Sequence, residues 1–143
     1  MVNSPDLLMI KSKSSKNLIK HEIGLVEVKK HLLKQGYICQ IDRSISKSGH
    51  ISIRIGKKDI YVMVKVLTKS AAVPFSSNFK ITNNFSYLII YTDIHNKGVS
   101  YYKLDMQYVK KVIKSNKGSN GRINYWLSRA KYEPFKVTSL VFP

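Results

Sequence analysis

The chain has 143 residues, about one domain at roughly 150 residues per domain, and its 43% hydrophobic content allows a single buried core. One cysteine excludes a disulfide scaffold and a cysteine-based zinc cluster. The sequence has no run of about 18 apolar residues, so it predicts no membrane-spanning helix. Lysine and arginine number 25 against 8 acidic residues, giving a net charge of +17. Such an excess favours a polyanionic partner, usually a nucleic acid, because neutralised phosphates release condensed counterions.

The first predicted element is a basic arm. Residues 1–16 are polar and rich in serine and lysine, and they are expected to be flexible, either as a nucleic-acid-binding arm or as an ordinary frayed terminus. They contain no apolar block followed by a cleavage site, so we expect a cytoplasmic location. The rest of the chain, 17–143, is predicted to be one domain.

A helix follows the arm over residues 17–35, where apolar residues recur at helical spacing, and Gly36 is a good helix stop. The predicted apolar stripe consists of Ile19, Ile23, Val26 and Leu33, broadened by Leu25 and Leu32. Gly24 within this helix costs about 1 kcal/mol relative to alanine, which indicates close packing at that position.

Three strands are predicted after the helix. The first covers residues 37–41, and the next two, 51–55 and 60–66, are separated by a hairpin turn. The third strand is almost entirely apolar, which predicts a central strand buried on both faces. Lys65 is the exception in that strand. A buried charge must be paired or functional, unless the side chain snorkels to solvent at the strand end.

The remaining elements complete an α/β (α+β) pattern. Residues 67–84 are predicted as a loop or short helix, 87–91 and 98–104 as strands, 105–114 as a helix and 115–121 as a loop. The apolar C-terminal tail is expected to pack as short strands. A single mixed β-sheet flanked by helices is the simplest architecture for this order.

One stretch of the sequence carries a motif. Glu27 lies in the helix, the helix ends at Gly36-Tyr37, and the residues from Gly49 to Lys65 fit a hairpin without a gap. This arrangement resembles the PD-(D/E)XK nuclease superfamily over roughly residues 17–104, with archaeal-type Holliday junction resolvases as the nearest likeness. The resemblance implies a restriction-endonuclease-like core. In such nucleases two carboxylates and a strand carbonyl hold Mg²⁺, and a lysine orients or activates the attacking water.

The sequence departs from the family pattern where the metal binds. His50 stands in place of the first aspartate and Met63 in place of the second acid, so only Lys65 matches. Imidazole and thioether groups are poor Mg²⁺ ligands. The resemblance therefore implies the fold and argues against the activity, as in a pseudoenzyme with no metal site and no cofactor.

The favoured function is a non-catalytic nucleic-acid-binding protein on a nuclease-like scaffold, with DNA as the expected partner. Most basic residues are lysines, which suit phosphate contacts better than base reading. The residues expected to contact the phosphate backbone along a lysine-rich groove are Lys11, Lys13, Lys16, Arg43, Lys47, Arg54, Lys57, Lys58, Lys65 and Lys69. The alternative explanation of the charge is a surface that is simply rich in lysine.

Two further functions stay open. One is a metal-dependent DNA endonuclease or junction resolvase with a rearranged site of Glu27, His50, Asp59 and Lys65, which requires Mg²⁺. Asp59 adjoins a turn, so a solvated turn residue is its preferred interpretation. The other is an inactive interaction subunit of a recombination, transposition or phage–host conflict complex, with a protein partner or a second copy of the chain. The C-terminal domain of tRNA-splicing endonucleases is similar in element order, but its Tyr-His-Lys spacing is not recognisable here.

Overall fold

A computed structural model describes residues 13–67, 71–75, 79–92 and 99–143, without the side chains of 13–18 and 79–81. Its helices are α1 (Lys13–Lys34), α2 (Met106–Val112) and α3 (Arg129–Tyr132), with 3₁₀ turns at Phe79–Asn84 and Glu133–Phe135. Its strands are β1 (Ile38–Asp42), β2 (His50–Ile55), β3 (Lys58–Leu67), β4 (Val73–Phe75), β5 (Tyr87–Thr92), β6 (Ser100–Asp105), β7 (Lys114–Lys117), β8 (Ile123–Leu127) and β9 (Lys136–Val137). None of the helices in the described residues is long and apolar enough to cross a lipid bilayer.

Six strands form the main sheet, in the order β1-β2-β3-β5-β6-β9. β3 and β5 run parallel, and the other neighbours pair antiparallel. β2 and β3 form the predicted hairpin, in which Ile53 lies opposite Ile60. β3 lies inside the sheet, as its unbroken apolar run predicts. The α+β class, with a large mixed sheet, is therefore confirmed.

Helix α1 covers one face of the main sheet with only part of the predicted stripe, namely Leu25 and Leu32. Its fully buried residues are Leu25, Val28 and Leu32, which pack in a cluster with residues of β2, β3 and β5. Ile23 and Leu33, which belong to the predicted stripe, are 53% and 49% exposed. Both sets of apolar residues have helical spacing, so periodicity alone does not select the face that packs on the sheet.

Gly24 marks the side of α1 that packs on the sheet. A Cβ atom at this position would lie 2.2 Å from Cγ2 of Val66 and 3.7 Å from the ring of Tyr91. Only glycine lets the helix approach β3 this closely, because real Cβ atoms do not come within such a distance of a neighbour. The close packing predicted at Gly24 is therefore confirmed.

The other face of the main sheet is covered by a second sheet together with short helices. β4, β8 and β7 pair antiparallel in that order. Val73 of β4 and Leu127 of β8 are fully buried with Leu88 and Ile90 of β5. The expectation of one sheet flanked by helices is wrong, because β4 pairs with a strand far away in sequence and local periodicity does not reveal such a partner.

Candidate nucleic-acid interface

Three positions that carry the nuclease-like motif share one face of the β2–β3 hairpin. Ile51 lies opposite Val62, and the same register continued by one residue places Met63 opposite His50. Lys65 lies two residues further along β3, so its side chain leaves the sheet on the same side as that of Met63. The two positions that hold acids in the nuclease pattern are therefore neighbours in this sheet.

His50 is part of the protein interior. It is 1% exposed, and its ring makes edge-to-face contacts with Phe85 and Tyr61, at centroid distances of 5.1 and 5.5 Å. Neither ring nitrogen has a hydrogen-bond partner, and Nε2 lies 4.0 Å from a carboxylate oxygen of Asp42. Burial lowers the pKa of His50, and the Asp42 charge only partly opposes this. Burial among aromatic rings therefore favours the neutral form of this imidazole.

Lys65 is largely enclosed by the second sheet. Its ammonium nitrogen lies 5.0 Å from the ring centroid of Phe75 in β4, a cation–π contact. Burial lowers the pKa of Lys65. No carboxylate of the described residues forms an ion pair with it. A direct phosphate contact by Lys65 stays a prediction, and the contact with Phe75 places its ammonium group beneath β4.

The two candidate acids lie elsewhere. Glu27 is on α1, where it faces Lys30 at 3.9 Å, and α1 packs on the opposite face of the main sheet from Lys65. Asp59 is the second residue of β3, where it is exposed and accepts a hydrogen bond of 2.5 Å from Nε of Arg54 on the paired strand, so it is a solvated strand residue rather than a turn residue. The structure does not bring Glu27, His50, Asp59 and Lys65 together.

The residues at the motif positions do not fit Mg²⁺, which needs several oxygen ligands. His50 is walled in by aromatic rings, and Met63 offers only a thioether. Across the described ranges, no group of three or more His, Cys, Asp or Glu residues is placed to hold a metal ion.

The basic residues expected to line one groove are separated along the hairpin. The loop from Arg43 to Lys47 joins β1 to β2, whereas Lys57 and Lys58 lie at the β2–β3 turn. The two loops lie at opposite ends of β2. The six residues of this strand span roughly 17 Å, because each step along a strand is about 3.4 Å. An open cleft of about 490 Å³ near the β2–β3 turn includes Lys58 in its lining but none of the other expected residues. Within the described residues this set is not gathered in one cleft, and its contact with the phosphate backbone stays a prediction.

Both arginines of the expected set are already paired with carboxylates. Arg43 donates two hydrogen bonds to Glu22, of 2.7 and 2.9 Å, and a third of 3.0 Å to the carbonyl of Ser48. Arg54 is held by Asp59. Lys47, Lys57 and Lys58 are exposed. The Arg43–Glu22 pair joins the β1–β2 loop to α1, and the Arg54–Asp59 pair joins β2 to β3, so these arginines stabilise the loop and the hairpin.

The N-terminal basic residues lie largely outside the structural description. α1 begins at Lys13, four residues before the predicted helix, so the last part of the expected arm is helical. The backbones of Lys13 and Lys16 therefore belong to α1, and their side chains are not described. Lys11 and Lys69 lie outside the described residues.

A basic segment that the sequence interpretation missed lies at the second sheet. Residues 106–132 contain seven basic residues and no acidic residue. These are Lys110, Lys111, Lys114, Lys117, Arg122, Arg129 and Lys131. The signal was present as a charge run without acids. A loop predicted over residues 115–121 gives these cations no common surface, whereas the hairpin does.

Local hydrogen bonds build this segment into a ribbon. The side chain of Asp105 caps α2 by accepting from the N–H of Gln107 at 2.8 Å. Ile113 after α2 has extended backbone angles, so the chain leaves the helix directly into β7. At the β7–β8 turn, the N–H of Gly118 donates to the carbonyl of Arg122 at 2.7 Å, and Gly121 adopts a φ of +81°. The result is a short antiparallel hairpin rather than a loop.

Most cations of this hairpin and of the end of α2 before it are free to bind a ligand. Lys111, Lys114, Lys117 and Arg122 are exposed, and none of them is in an ion pair with a described carboxylate. Arg129 differs, because it pairs with Glu133 at 3.1 Å. We call Lys111 at the end of α2, Lys114 and Lys117 of β7, and Arg122 of the β7–β8 turn, together with the strands Lys114–Lys117 and Ile123–Leu127, the basic ribbon.

The basic ribbon has an inner and an outer face. Val73 lies opposite Leu127, and both are buried against the main sheet, which defines the inner face. On the outer face Trp126 lies between Lys114 of β7 and Pro74 of β4, because directly paired residues project to the same side. The outer face is thus a basic surface with an aromatic centre.

No family model matches this chain, and neither a curated protein nor a solved structure matches it. The likeness to the nuclease superfamily therefore depends on the sequence motif and on the hairpin register of His50 and Met63 alone.

Proposed function

We propose that this protein binds nucleic acid, with DNA as the first candidate, through the phosphate backbone and without cleaving it. The observation that carries the proposal is the basic ribbon, which presents four exposed cations that no described carboxylate neutralises. A two-stranded ribbon is narrow enough to enter a nucleic-acid groove, and its lysines suit phosphate contacts. The net charge of +17 supports the same partner.

The scaffold is part of the proposal. A helix, a strand and a hairpin follow one another as in the nuclease-like pattern, and His50 and Met63 are neighbours where that pattern has its two acids. We propose that the fold contains a restriction-endonuclease-like core in which His50 and Met63 stand where that core carries its metal-binding acids. The second sheet covers the face of the hairpin that carries His50, Met63 and Lys65. In this proposal the basic ribbon, rather than that face, binds phosphate.

The experiment compares matched charge losses by fluorescence anisotropy with labelled duplex, single-stranded and four-way DNA and with RNA over a series of salt concentrations. Three triple variants each remove three exposed lysines or arginines. They are Lys111→Ala/Lys117→Ala/Arg122→Ala in the ribbon, Lys47→Ala/Lys57→Ala/Lys58→Ala in the expected groove, and Lys20→Ala/Lys34→Ala/Lys136→Ala as the control. We expect the ribbon variant to lower the magnitude of the salt slope by about 2 to 3, since each lost phosphate contact is worth about 0.7–0.9.

The outcomes separate the alternatives. A ribbon variant that behaves like the control shows that charge alone causes the binding, which contradicts an interface at the ribbon. A larger loss in the second triple variant assigns binding to the loops of the β1–β3 region. Absence of binding to every nucleic acid at low salt contradicts the proposal as a whole.

The non-catalytic part has its own test. Nicked, single-stranded and four-way DNA incubated with the protein and Mg²⁺ or Mn²⁺ should remain intact, because the motif positions supply no oxygen ligands from side chains. Cleavage that disappears in the Lys65→Ala variant would contradict this and support a nuclease with a rearranged site.

A further inference from the structure

The outer face of the second sheet places an aromatic ring where packing does not require one. Trp126 is half-buried and belongs to neither of the two buried clusters of the described residues. Its neighbours in sequence, Tyr125 and Leu127, project to the inner face, where Leu127 lies opposite Val73 in the interior. The indole therefore contributes little to the core that holds the second sheet on the main sheet.

The residues around Trp126 have the chemistry that a nucleotide requires. Lys114 lies directly opposite it, exposed and without an ion pair to any described carboxylate. Two residues further along the strands, Asn116 and Asn124 lie opposite each other and are exposed. Each carboxamide offers both hydrogen-bond donors and an acceptor, which match the edges of bases. A cation, an aromatic face and a pair of amides thus lie on one surface.

We propose that this outer face binds an unpaired nucleotide, with its base stacked on Trp126, its phosphate near Lys114 and its edge toward Asn116 and Asn124. The inference rests on the proposed function, since it names the form of nucleic acid that the basic ribbon prefers. Base stacking requires an accessible base face, which a continuous duplex keeps inside its stack. The protein therefore favours single-stranded or branched nucleic acid over blunt duplex.

The charge of this segment favours a nucleic acid over a protein as the partner that covers Trp126. The segment 106–132 has no acidic residue, so the approach of a polyanion meets no repulsion from it. A protein partner that covered Trp126 would also have to neutralise the free cations of the ribbon. The continuous phosphate charge of a nucleic-acid strand does this without any special arrangement of acids.

The experiment uses the intrinsic fluorescence of the protein, because Trp126 is the only tryptophan in the chain. The unmodified protein is titrated with oligo(dT), with a blunt duplex and with a four-way junction, under selective tryptophan excitation, while anisotropy of a labelled oligonucleotide measures occupancy. We expect saturable quenching of Trp126 by oligo(dT) and by the junction. At equal occupancy by blunt duplex, the fluorescence should change little.

Two variants test the stacking. Trp126→Leu keeps an apolar side chain but has no π face, and it should weaken oligo(dT) binding about 5- to 100-fold while duplex affinity stays within about 2-fold. Trp126→Phe keeps an aromatic ring and should retain most of the affinity. Thermal unfolding of each variant checks that it folds, and the quenching experiment on the unmodified protein tests the proposal even if Trp126→Leu does not fold.

The outcomes distinguish this inference from the proposed function. Oligonucleotide binding at full occupancy without any change in Trp126 emission overturns the stacking site and leaves the proposed function standing. Absence of binding to every nucleic acid at low salt overturns both. Emission that changes with protein concentration in the absence of nucleic acid shows that a second copy covers this face, and this also overturns the stacking site.

Discussion

His31 of helix α1 accepts a hydrogen bond at Nε2 from the backbone N–H of Leu140, at 3.1 Å. Its ring also lies against that of Tyr101, with the centroids 4.7 Å apart. Leu140 is fully buried, so this contact attaches the C-terminal segment to the helix. A second attachment is made by the Tyr37 hydroxyl, which accepts from the N–H of Phe142 at 2.8 Å. Because Nε2 must be free to accept, the structure requires a neutral His31.

Acid should therefore loosen the C-terminal segment. Burial, and then the nearby Lys34 charge, lower the pKa of His31 from its ordinary value of 6.5. Since the folded pKa is depressed, the contribution of His31 to stability is complete above pH 6.5 and is lost as the pH falls through the folded pKa. Replacing His31 by alanine leaves a buried N–H unpaired and should cost about 1–3 kcal/mol at neutral pH. Urea unfolding at several pH values measures both effects.

The matched control for this prediction is His31→Gln, whose carboxamide oxygen accepts a hydrogen bond without titrating. It should recover part of the stability and flatten the acid side of the curve. An unchanged acid slope in His31→Gln would assign the acid sensitivity to other groups.

Replacement of His50 by leucine should stabilise the protein in acid. Both ring nitrogens of His50 are buried without hydrogen-bond partners, and burial lowers its pKa. The unfolded chain binds a proton at this histidine more readily than the folded chain, so stability falls as the pH drops below 6.5. Leucine removes that cost, and we expect a gain of about 1 kcal/mol in acid. Thermal unfolding at acid and neutral pH is the measurement, and lower stability in acid would show that Asp42 pairs with a protonated ring.

Replacement of Gly24 by alanine should destabilise the protein although alanine favours helix. The new Cβ would lie 2.2 Å from Cγ2 of Val66, so helix or strand must shift. We expect a net loss of about 1–3 kcal/mol from overpacking, measured by urea unfolding. Val66→Ala in the same chain removes the obstructing methyl groups and should restore part of the loss. Ile23→Ala on the exposed side of α1 is the control and should change stability by no more than about 0.5 kcal/mol.

Single cations of the basic ribbon should each account for about one unit of the salt dependence of DNA binding. Lys117→Ala and Arg122→Ala should each lower the magnitude of the slope of log K against log salt by about 1. Lys65→Met should leave that slope unchanged, because the Lys65 ammonium group lies 5.0 Å from the Phe75 ring on the inner side of the second sheet, not on the outer face. Anisotropy titrations over a salt series measure the three slopes. If Lys65→Met lowered the salt slope as much as Arg122→Ala does, the binding surface would include the hairpin motif instead.

Several local features followed from the sequence alone. The alternating strand that ends at Ile55, the apolar strand predicted from Ile60 and the turn between them predicted the hairpin, which the structure contains with its second strand beginning at Lys58. The close packing at Gly24 was also predicted, because a glycine inside a helix needs a reason. These predictions succeed because strand alternation, turn residues and helix stops act between residues that are close in sequence.

Only the tertiary structure decided which face of α1 is buried and where the basic residues lie. Leu25 and Ile23 belong to equally regular helical patterns, and contact with β3 selected the face with Leu25. Glu27 and Lys65 belong to one motif in the sequence but lie on opposite sides of the main sheet, because α1 packs on one face and Lys65 projects from the other face of β3. The basic ribbon with Trp126 on its outer face forms only when β8 pairs with both β4 and β7. Contacts between segments far apart in sequence leave no local period from which they could be predicted.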